Sequence, residues 1–500
     1  MKGGFLASGS WLIAAQGVER LLGIISIAIL ARLLTPADFG IIAVAGTVVA
    51  AVEILSAFGF DWALLRKHDL SANYLNSAWT MRALLGLFTL ITLWLAGPPA
   101  AAFYRLPQLT FVLFALGLGS FVGSLENIGT VYFRRDFAFH KEFLLRAISK
   151  LSGFLVTVTI ALIYRSYWAL VAGMLAVRAA NTLASYALHG YRPRPSLSKA
   201  RELVGFSSWL LIGNLVDYFS QRFYDLYLGR VFGPTANGLF SVAGELARMP
   251  VSEVAAPINR VAYSKYSEDV RANRGLADSY LKTASLIWMV SLPMCAGIAA
   301  VAPEAVVLIL GPRWADAETI IRLLALGTVF TVLTANTHYV YWALGHSRIV
   351  AIISAVGAVA VIPVTILCSH FAGYKGVAIA YAVTNAFLVP VNFAMMWRLV
   401  GVKFTDLLIH TWRVSAAAIA MVTVLYLTLP GSIHEIASQA AILLAVKVSI
   451  GVIIYVATTA LLWWAAGRPE GPERWGWQLI LQWAQARREV RQGGQNSEAP

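Results

Sequence analysis

The feature that most constrains the fold of this 500-residue chain is an internal repeat at an offset of 198 residues. With that offset and no gap, identities fall on residue types that rarely coincide by chance: Trp11 and Trp209, Arg32 and Arg230, Pro36 and Pro234, Gly40 and Gly238. From Ser8 to Gly46, eleven of thirty-nine positions are identical. A repeat sets the architecture of a chain, and in membrane proteins it is a frequent mark of transporters.

The composition indicates an integral membrane protein. The chain is 59% hydrophobic and only 13% charged, whereas a soluble domain averages about 45–50% apolar and about 25% charged residues. Apolar stretches long enough to cross a bilayer as helices recur along the whole sequence. We predict fourteen spans, at 10–30, 40–60, 79–97, 108–130, 144–164, 167–188, 205–229, 237–258, 280–301, 317–343, 349–370, 376–398, 410–429 and 437–465.

The basic residues predict the orientation of these spans. The net charge of +14 would suggest nucleic acid as a partner in a soluble protein, but here it fits cytoplasmic loops. If the N-terminus is cytoplasmic and the spans alternate, 27 of the 39 Lys and Arg residues fall on the cytoplasmic side and 6 on the opposite side. This positive-inside bias predicts a multi-pass protein of the bacterial inner membrane with both termini in the cytoplasm.

The repeat predicts the domain organisation. An offset of 198 residues covers six spans, and because six is even the two copies cross the membrane in the same direction. We therefore expect an all-α fold with six-helix bundles at 1–200 and 201–400, helices 13 and 14 at 401–466, and a cytoplasmic amphipathic tail at 467–500. The start of the chain belongs to the repeat, so we interpret it as a retained span and not as a cleaved signal peptide.

Ionisable side chains concentrate in the first two spans of each copy, where burial in the bilayer is costly and suggests function. Spacings of three and four residues place several of them on shared helix faces. Those able to bind an anionic substrate are Arg20, Arg222, Arg248, Gln16 and Gln221. Those able to exchange a proton or a coupling cation are Glu19, Glu53, Asp217, Asp225, Glu245 and Glu253. The alternative is structural, because Arg222 with Asp225 and Glu245 with Arg248 are i,i+3 pairs that can neutralise each other.

Four further charged residues stand mostly alone in the predicted spans, and for them the sequence favours a structural or snorkelling role: Glu126, Arg178, Arg322 and Lys447. Catalytic patterns are missing: there is no P-loop and no Gly-x-Ser-x-Gly, and the eight His residues lack metal-ligand spacing. Cys295 and Cys368 form no motif and fit small packing residues. No internal connection is long enough to fold as a soluble catalytic domain. We therefore expect a transporter without a cofactor or a metal.

Several local motifs carry a family resemblance. They are the segments 31–40 (Ala-Arg-Leu-Leu-Thr-Pro-Ala-Asp-Phe-Gly), 233–241, 310–314 (Leu-Gly-Pro-Arg-Trp), 321–324 and 376–378. With fourteen spans, the chain resembles the polysaccharide-transporter or O-antigen flippase branch of the multidrug/oligosaccharidyl-lipid/polysaccharide exporter superfamily. The resemblance implies two bundles arranged as a V, alternating access and a cationic cavity to which Arg20, Arg222 and Arg248 contribute.

The sequence and the resemblance together predict a flippase. Its expected cargo is a polyprenyl-diphosphate-linked oligosaccharide, moved from the cytoplasmic to the outer leaflet with coupling to an ion gradient. Expected partners are this cargo, membrane lipid, and the polysaccharide polymerase and export machinery, but no nucleic acid. The alternatives are a cation-coupled drug exporter of the same superfamily and a membrane glycosyltransferase or polymerase.

Overall fold

The fold is seen in a computed structural model, which describes residues 2–56, 71–136, 138–200, 208–428 and 437–475. Within these ranges the side chains of residues 2–16, 18, 55–56, 134, 208–217 and 437–438 are outside the description. The described chain is helical and contains no strand, which confirms the all-α fold class.

Packing divides the chain into two compact units. Unit 1 comprises Met1–Val242 and Ile309–Trp314, and unit 2 comprises Ala243–Leu308 and Ala315–Pro500. The first helix of the second sequence repeat therefore packs within unit 1. The domain limits drawn from the repeat stay a prediction.

Unit 1 is built from eight helices and the start of a ninth. They are α1 (Lys2–Leu33), α2 (Pro36–Ser56), α3 (Ala72–Tyr104), α4 (Gln108–Ser124), α5 (Val131–Arg135), α6 (Phe139–Tyr164), α7 (Trp168–Leu188), α8 (Ser208–Val231) and α9 (Gly233–Ala247). The main apolar cluster of unit 1 joins α2, α3 and α4.

Unit 2 continues from the end of α9. Its helices are α10 (Ala256–Arg271), α11 (Ala277–Ala300), α12 (Ala302–Ala305), α13 (Ala317–Thr334), α14 (Thr337–Ala343), α15 (Ser347–Val400), α16 (Phe404–Thr428) and α17 (Ala437–Ala465). Helix α15 contains non-helical backbone at Ala372 and Gly373, where Gly373 has φ +58°. This kink lies between the predicted spans 349–370 and 376–398.

Within the described residues, nine helices are long and apolar enough to cross a membrane. Helix α4 is shorter, and the kinked α15 accounts for two predicted spans. The multi-span helical architecture is confirmed, while the count of fourteen stays a prediction. Of the predicted amphipathic tail at 467–500, the part beyond residue 475 lies outside the described residues.

A capping box sets the turn between α1 and α2. The backbone N–H and the hydroxyl of Thr35 donate to Asp38 Oδ2 at 2.9 and 2.6 Å, and the backbone N–H of Asp38 donates to Thr35 Oγ1 at 3.3 Å. The other oxygen of Asp38 accepts the backbone N–H of Tyr167 at 3.1 Å. Thr, Pro and Asp at positions 35, 36 and 38 thus stop one helix, start the next and join the turn to the start of α7.

Candidate functional site

A polar pocket lies among four helices of unit 1. Its charged and polar lining comes from Glu53 of α2, Arg82 and Thr89 of α3, Ser120 and Ser124 of α4, Glu126 just after α4, and Arg178 and Asn181 of α7. The cavity has a volume of about 370 Å³. We call it the unit 1 pocket.

One wall of the unit 1 pocket is a closed hydrogen-bonded triangle. The guanidinium of Arg178 donates to Glu53 Oε1 at 2.7 Å and to Ser120 Oγ at 3.0 Å. The Ser120 hydroxyl donates to the same Glu53 oxygen at 2.8 Å. Charge-assisted bonds of this kind are stronger than neutral ones, so the three side chains hold each other in place.

A second ion pair lies across the pocket. Arg82 Nη2 lies 3.3 Å from Glu126 Oε2, and the Thr130 hydroxyl donates to Glu126 Oε1 at 3.4 Å. All four charged side chains are partly exposed, Glu53 most at 39% and Glu126 least at 19%. Among the described residues, the lining therefore combines two carboxylates with two guanidinium groups, and these four charges balance.

Glycines on α3 and α4 position the pocket walls. A methyl group at Gly86 would overlap the side chain of Ser124, so α3 and α4 approach closely there. On α4, Cβ atoms placed at Gly119 and Gly123 would lie 3.4 and 3.7 Å from Cδ of Arg178. The aliphatic part of Arg178 therefore lies along a glycine face of α4, which directs its guanidinium toward Glu53.

The structure brings some of the predicted residues into pairs. Arg222 Nη1 lies 3.4 Å from Asp225 Oδ2, the i,i+3 pair that the alternative interpretation anticipates. Asp225 is buried and Arg222 is exposed. Glu19 lies 3.9 Å from Arg146 of α6, a partner that the sequence analysis does not identify.

The other predicted residues lie apart from the unit 1 pocket. Arg20 is half-buried on α1, and Gln221 is exposed on α8. In unit 2, Arg248 Nε donates to the carbonyl of Gly244 at 3.2 Å, and Glu245 is exposed. Glu253 is also exposed and accepts the Ser252 hydroxyl at 2.9 Å. The side chains of Gln16 and Asp217 lie outside the described residues.

Sequence reasoning misses most of the pocket. It selects Glu53, but it treats Arg178 and Glu126 as isolated charges and does not single out Arg82. In the structure Arg178 and Glu126 both have ion-pair partners. The available signal is the rule that charged residues within the membrane seek partners, which applies to all of them.

Unit 2 contains a buried ion pair of its own. Lys447 Nζ lies 2.6 Å from Glu304 Oε1, and the side chains are 3% and 4% exposed. This pair joins α17 to the short helix α12 and gives Lys447 a partner that the sequence analysis does not identify. Within the described residues, no three His, Cys, Asp or Glu side chains are placed to hold a metal ion.

Comparison with known proteins relates this architecture to polysaccharide export. Residues 29–319 match the family model described as "Polysaccharide biosynthesis protein". The chain is 26% identical over 328 residues to the succinoglycan biosynthesis transport protein ExoT of Rhizobium meliloti, covering 63% of this chain and 64% of that protein. It is 22% identical over 327 residues to the lipopolysaccharide biosynthesis protein WzxC of Escherichia coli K12, covering 64% of this chain and 66% of that protein. The alignments thus span just under two thirds of each of these two relatives.

A solved structure shares the fold. The lipid II flippase MurJ in an inward closed conformation superposes with a TM-score of 0.74, covering 91% of this chain and 99% of that chain at 12% identity. At this identity the likeness concerns the fold alone, which is multi-span and helical.

Proposed function

Because the chain belongs to the polysaccharide biosynthesis protein family, we propose that it is a flippase for a lipid-linked oligosaccharide. The cargo in this proposal is a polyprenyl-diphosphate-linked oligosaccharide destined for surface polysaccharide. The protein moves it from the cytoplasmic to the outer leaflet of a bacterial inner membrane by alternating access. The names of ExoT, a biosynthesis transport protein, and of MurJ, a lipid II flippase, support the transport of such a cargo.

The observation that carries the proposal is the charged pocket within the family-matched region. All twelve residues that line the unit 1 pocket fall between residues 29 and 319, the part of the chain that matches the family. Charged side chains among membrane helices are costly, so their presence points to a function. A polar site inside a membrane protein is what a flippase needs, because the hydrophilic head of its cargo has to leave water.

The pocket lies near the helix ends that the charge bias places in the cytoplasm. Glu53 is three residues before the end of α2, and Glu126 is two residues after the end of α4. Both segments end on the predicted cytoplasmic side. This position supports loading of the cargo from the cytoplasmic leaflet.

The diphosphate and the coupling ion require other groups. We propose Arg20 and Arg222 as ligands of the diphosphate, with Gln16 and Gln221 as neighbours on the same helices, since guanidinium groups bind phosphate oxygens bidentately. Arg248 of unit 2 is a further candidate for an anion ligand. For coupling to an ion gradient we propose the acidic residues outside the pocket, which are Glu19, Asp217, Asp225, Glu245 and Glu253. Glu53, the sixth acid predicted for ion coupling, lines the unit 1 pocket and stays a candidate for that role.

The rival function within the same fold is cation-coupled drug export. The unit 1 pocket gives it no specific support, because the carboxylates that would attract an organic cation are paired with the guanidinium groups of Arg82 and Arg178, which would repel it. A glycosyltransferase or polymerase has less support, because the relative ExoT is named a transport protein.

Deletion of the gene in its source bacterium tests the proposed function. We expect surface polysaccharide to be lost and its lipid-linked precursor to accumulate on the cytoplasmic side, with recovery on expression of the wild-type chain. Unchanged polysaccharide together with a raised sensitivity to cationic drugs would instead support the exporter. Expression levels have to be matched by immunoblotting.

A further inference from the structure

We propose that the unit 1 pocket binds one uncharged sugar unit of the cargo, chiefly through Glu53, Ser120, Arg178 and Asn181. This inference rests on the proposed function and deepens it, because it separates the part of the protein that recognises the saccharide from the part that holds the diphosphate.

The charge balance of the pocket selects a neutral ligand. Two carboxylates and two guanidinium groups line the same cavity, and they lie in ion pairs of 2.7 and 3.3 Å. A diphosphate would have to approach the carboxylates of Glu53 and Glu126, and an organic cation would have to approach the guanidinium groups. Either would be attracted by one half of the charged lining and repelled by the other half, so neither gains a net Coulombic attraction. An uncharged polyhydroxylated ring meets no such repulsion.

The hydrogen-bonding groups suit sugar hydroxyls, which both donate and accept. Carboxylates accept and guanidinium groups donate, and the buried Ser120 hydroxyl holds Glu53 and Arg178 in position. The side chains of Glu53 and Arg178 are 39% and 29% exposed, so each presents polar surface beyond the bonds of the triangle. Asn181 is fixed by the Ser149 hydroxyl, which donates to its side-chain oxygen at 3.1 Å. The site is therefore preorganised for directional hydrogen bonds.

The size of the pocket and the residues of its walls indicate which part of a saccharide it can bind. A volume of about 370 Å³ lies at the small end of ligand cavities and fits a single sugar ring, not a whole oligosaccharide. None of the described lining residues is aromatic. Among these residues, recognition depends on hydrogen bonds to the edge of the sugar ring, whose geometry differs with the stereochemistry of the individual hydroxyl groups. The pocket is thus a place where one flippase distinguishes its own repeat unit from another.

Direct binding tests the inference with the intact protein in detergent. The probes are the source organism's repeat oligosaccharide on polyprenyl diphosphate, the same lipid diphosphate without sugar, and the free oligosaccharide. We expect Ser120→Ala and Asn181→Ala each to weaken binding of both sugar-containing probes about tenfold, the equivalent of one hydrogen bond to a charged or polar partner. Binding of the sugar-free lipid should stay unchanged.

Matched variants outside the pocket control for general damage. Ser152→Ala removes a hydroxyl that donates within α6 at 2.9 Å, and Asn385→Ala removes an amide that donates within α15 at 2.8 Å. Both should bind all three probes like wild type. Equal weakening of the sugar-free lipid by Ser120→Ala and Asn181→Ala would overturn the inference, and so would displacement of the free oligosaccharide by inorganic pyrophosphate or tetraphenylphosphonium at similar concentration.

The two proposals fail in distinguishable ways. Pocket-dependent binding of the free oligosaccharide without transport in liposomes would contradict the flippase function and support the sugar site. Transport of the lipid-linked oligosaccharide with unchanged kinetics in Ser120→Ala and Asn181→Ala would support the flippase and overturn the sugar site.

Discussion

Gly40 and Gly238 occupy equivalent positions of the sequence repeat, and each faces the backbone of the helix that carries the other. A Cβ atom at Gly40 would overlap the carbonyl oxygen of Pro234, and a Cβ atom at Gly238 would overlap the carbonyl oxygen of Pro36. The first turns of α2 and α9 therefore meet in a reciprocal contact within unit 1. This contact explains why Pro and Gly recur in the repeat. The prolines lie in the first turns of the two helices, and the glycines allow the helix backbones to touch.

This contact predicts that Gly40→Ala and Gly238→Ala destabilise the protein. The backbone cannot rotate away as a side chain can. We therefore expect overpacking to lower the free energy of unfolding by about 1–3 kcal/mol in each variant. Gly46→Ala is the matched control, because nothing lies within 4 Å of a Cβ at that position of α2 and alanine favours helix. Thermal unfolding in detergent should show lower Tm for the first two variants and an equal or higher Tm for the control. Equal Tm for all three would contradict the reciprocal contact.

The buried pair of Glu304 and Lys447 predicts a strong coupling between two substitutions. Lys447→Met leaves the Glu304 carboxylate buried without its 2.6 Å partner, and loss of one member of such a pair typically costs about 3–5 kcal/mol. The double variant Glu304→Gln, Lys447→Met removes both charges and should recover most of the lost stability. A double-mutant cycle on unfolding measures the coupling, and additive losses would show that the two side chains do not depend on each other.

His189 predicts a dependence of stability on pH near neutrality. It follows the end of α7, where burial, Lys141 and Arg192 lower the pKa of its imidazole from the usual 6.5. Because the unfolded chain binds the proton more readily, stability falls as the pH drops through 6.5 and levels off below the folded-state pKa. His189→Gln should flatten the Tm between pH 5 and pH 7.5. If Tm depends on pH in that variant as it does in the wild type, the dependence arises from another titratable group and the prediction for His189 is wrong.

Breaking the ion pair of Glu53 and Arg178 should abolish transport although the protein stays folded. Arg178→Ala should abolish surface polysaccharide export and cost only about 1 kcal/mol of stability, since both side chains are partly exposed. The double variant Glu53→Gln, Arg178→Ala should regain that stability without regaining export. Arg322→Ala is the control, because Arg322 pairs with Glu318 at 3.0 Å outside the pocket. Export lost equally in the control would contradict a specific role for Arg178.

The local features of the fold are predictable from the sequence. Apolar runs and turn residues place the helices, and the Thr35-Pro36-Ala37-Asp38 turn predicts the break between α1 and α2 that its capping box makes. The break between spans at 370 and 376 likewise coincides with the left-handed backbone at Gly373. These signals act over a few residues, so a single sequence contains them.

The pocket could not be predicted in the same way. Arg178 and Glu53 are 125 residues apart in the chain, and Lys447 and Glu304 are 143 apart. Which charge pairs with which depends on helix rotation and on close approaches such as that at Gly86, neither of which hydropathy reports. Sequence spacing therefore favoured Arg222 with Asp225, a pair within one helix, and overlooked pairs between helices.

Translocation in liposomes tests the central claim most directly. Purified wild-type protein is reconstituted with a fluorescent polyprenyl-diphosphate oligosaccharide confined to one leaflet, an ion gradient of either sign is applied, and arrival in the other leaflet is read by an impermeant quencher. We expect arrival at a rate well above that of protein-free liposomes for the saccharide-bearing lipid. Arrival no faster than in protein-free liposomes, with folded protein and either gradient, would contradict the assignment of this chain as a flippase.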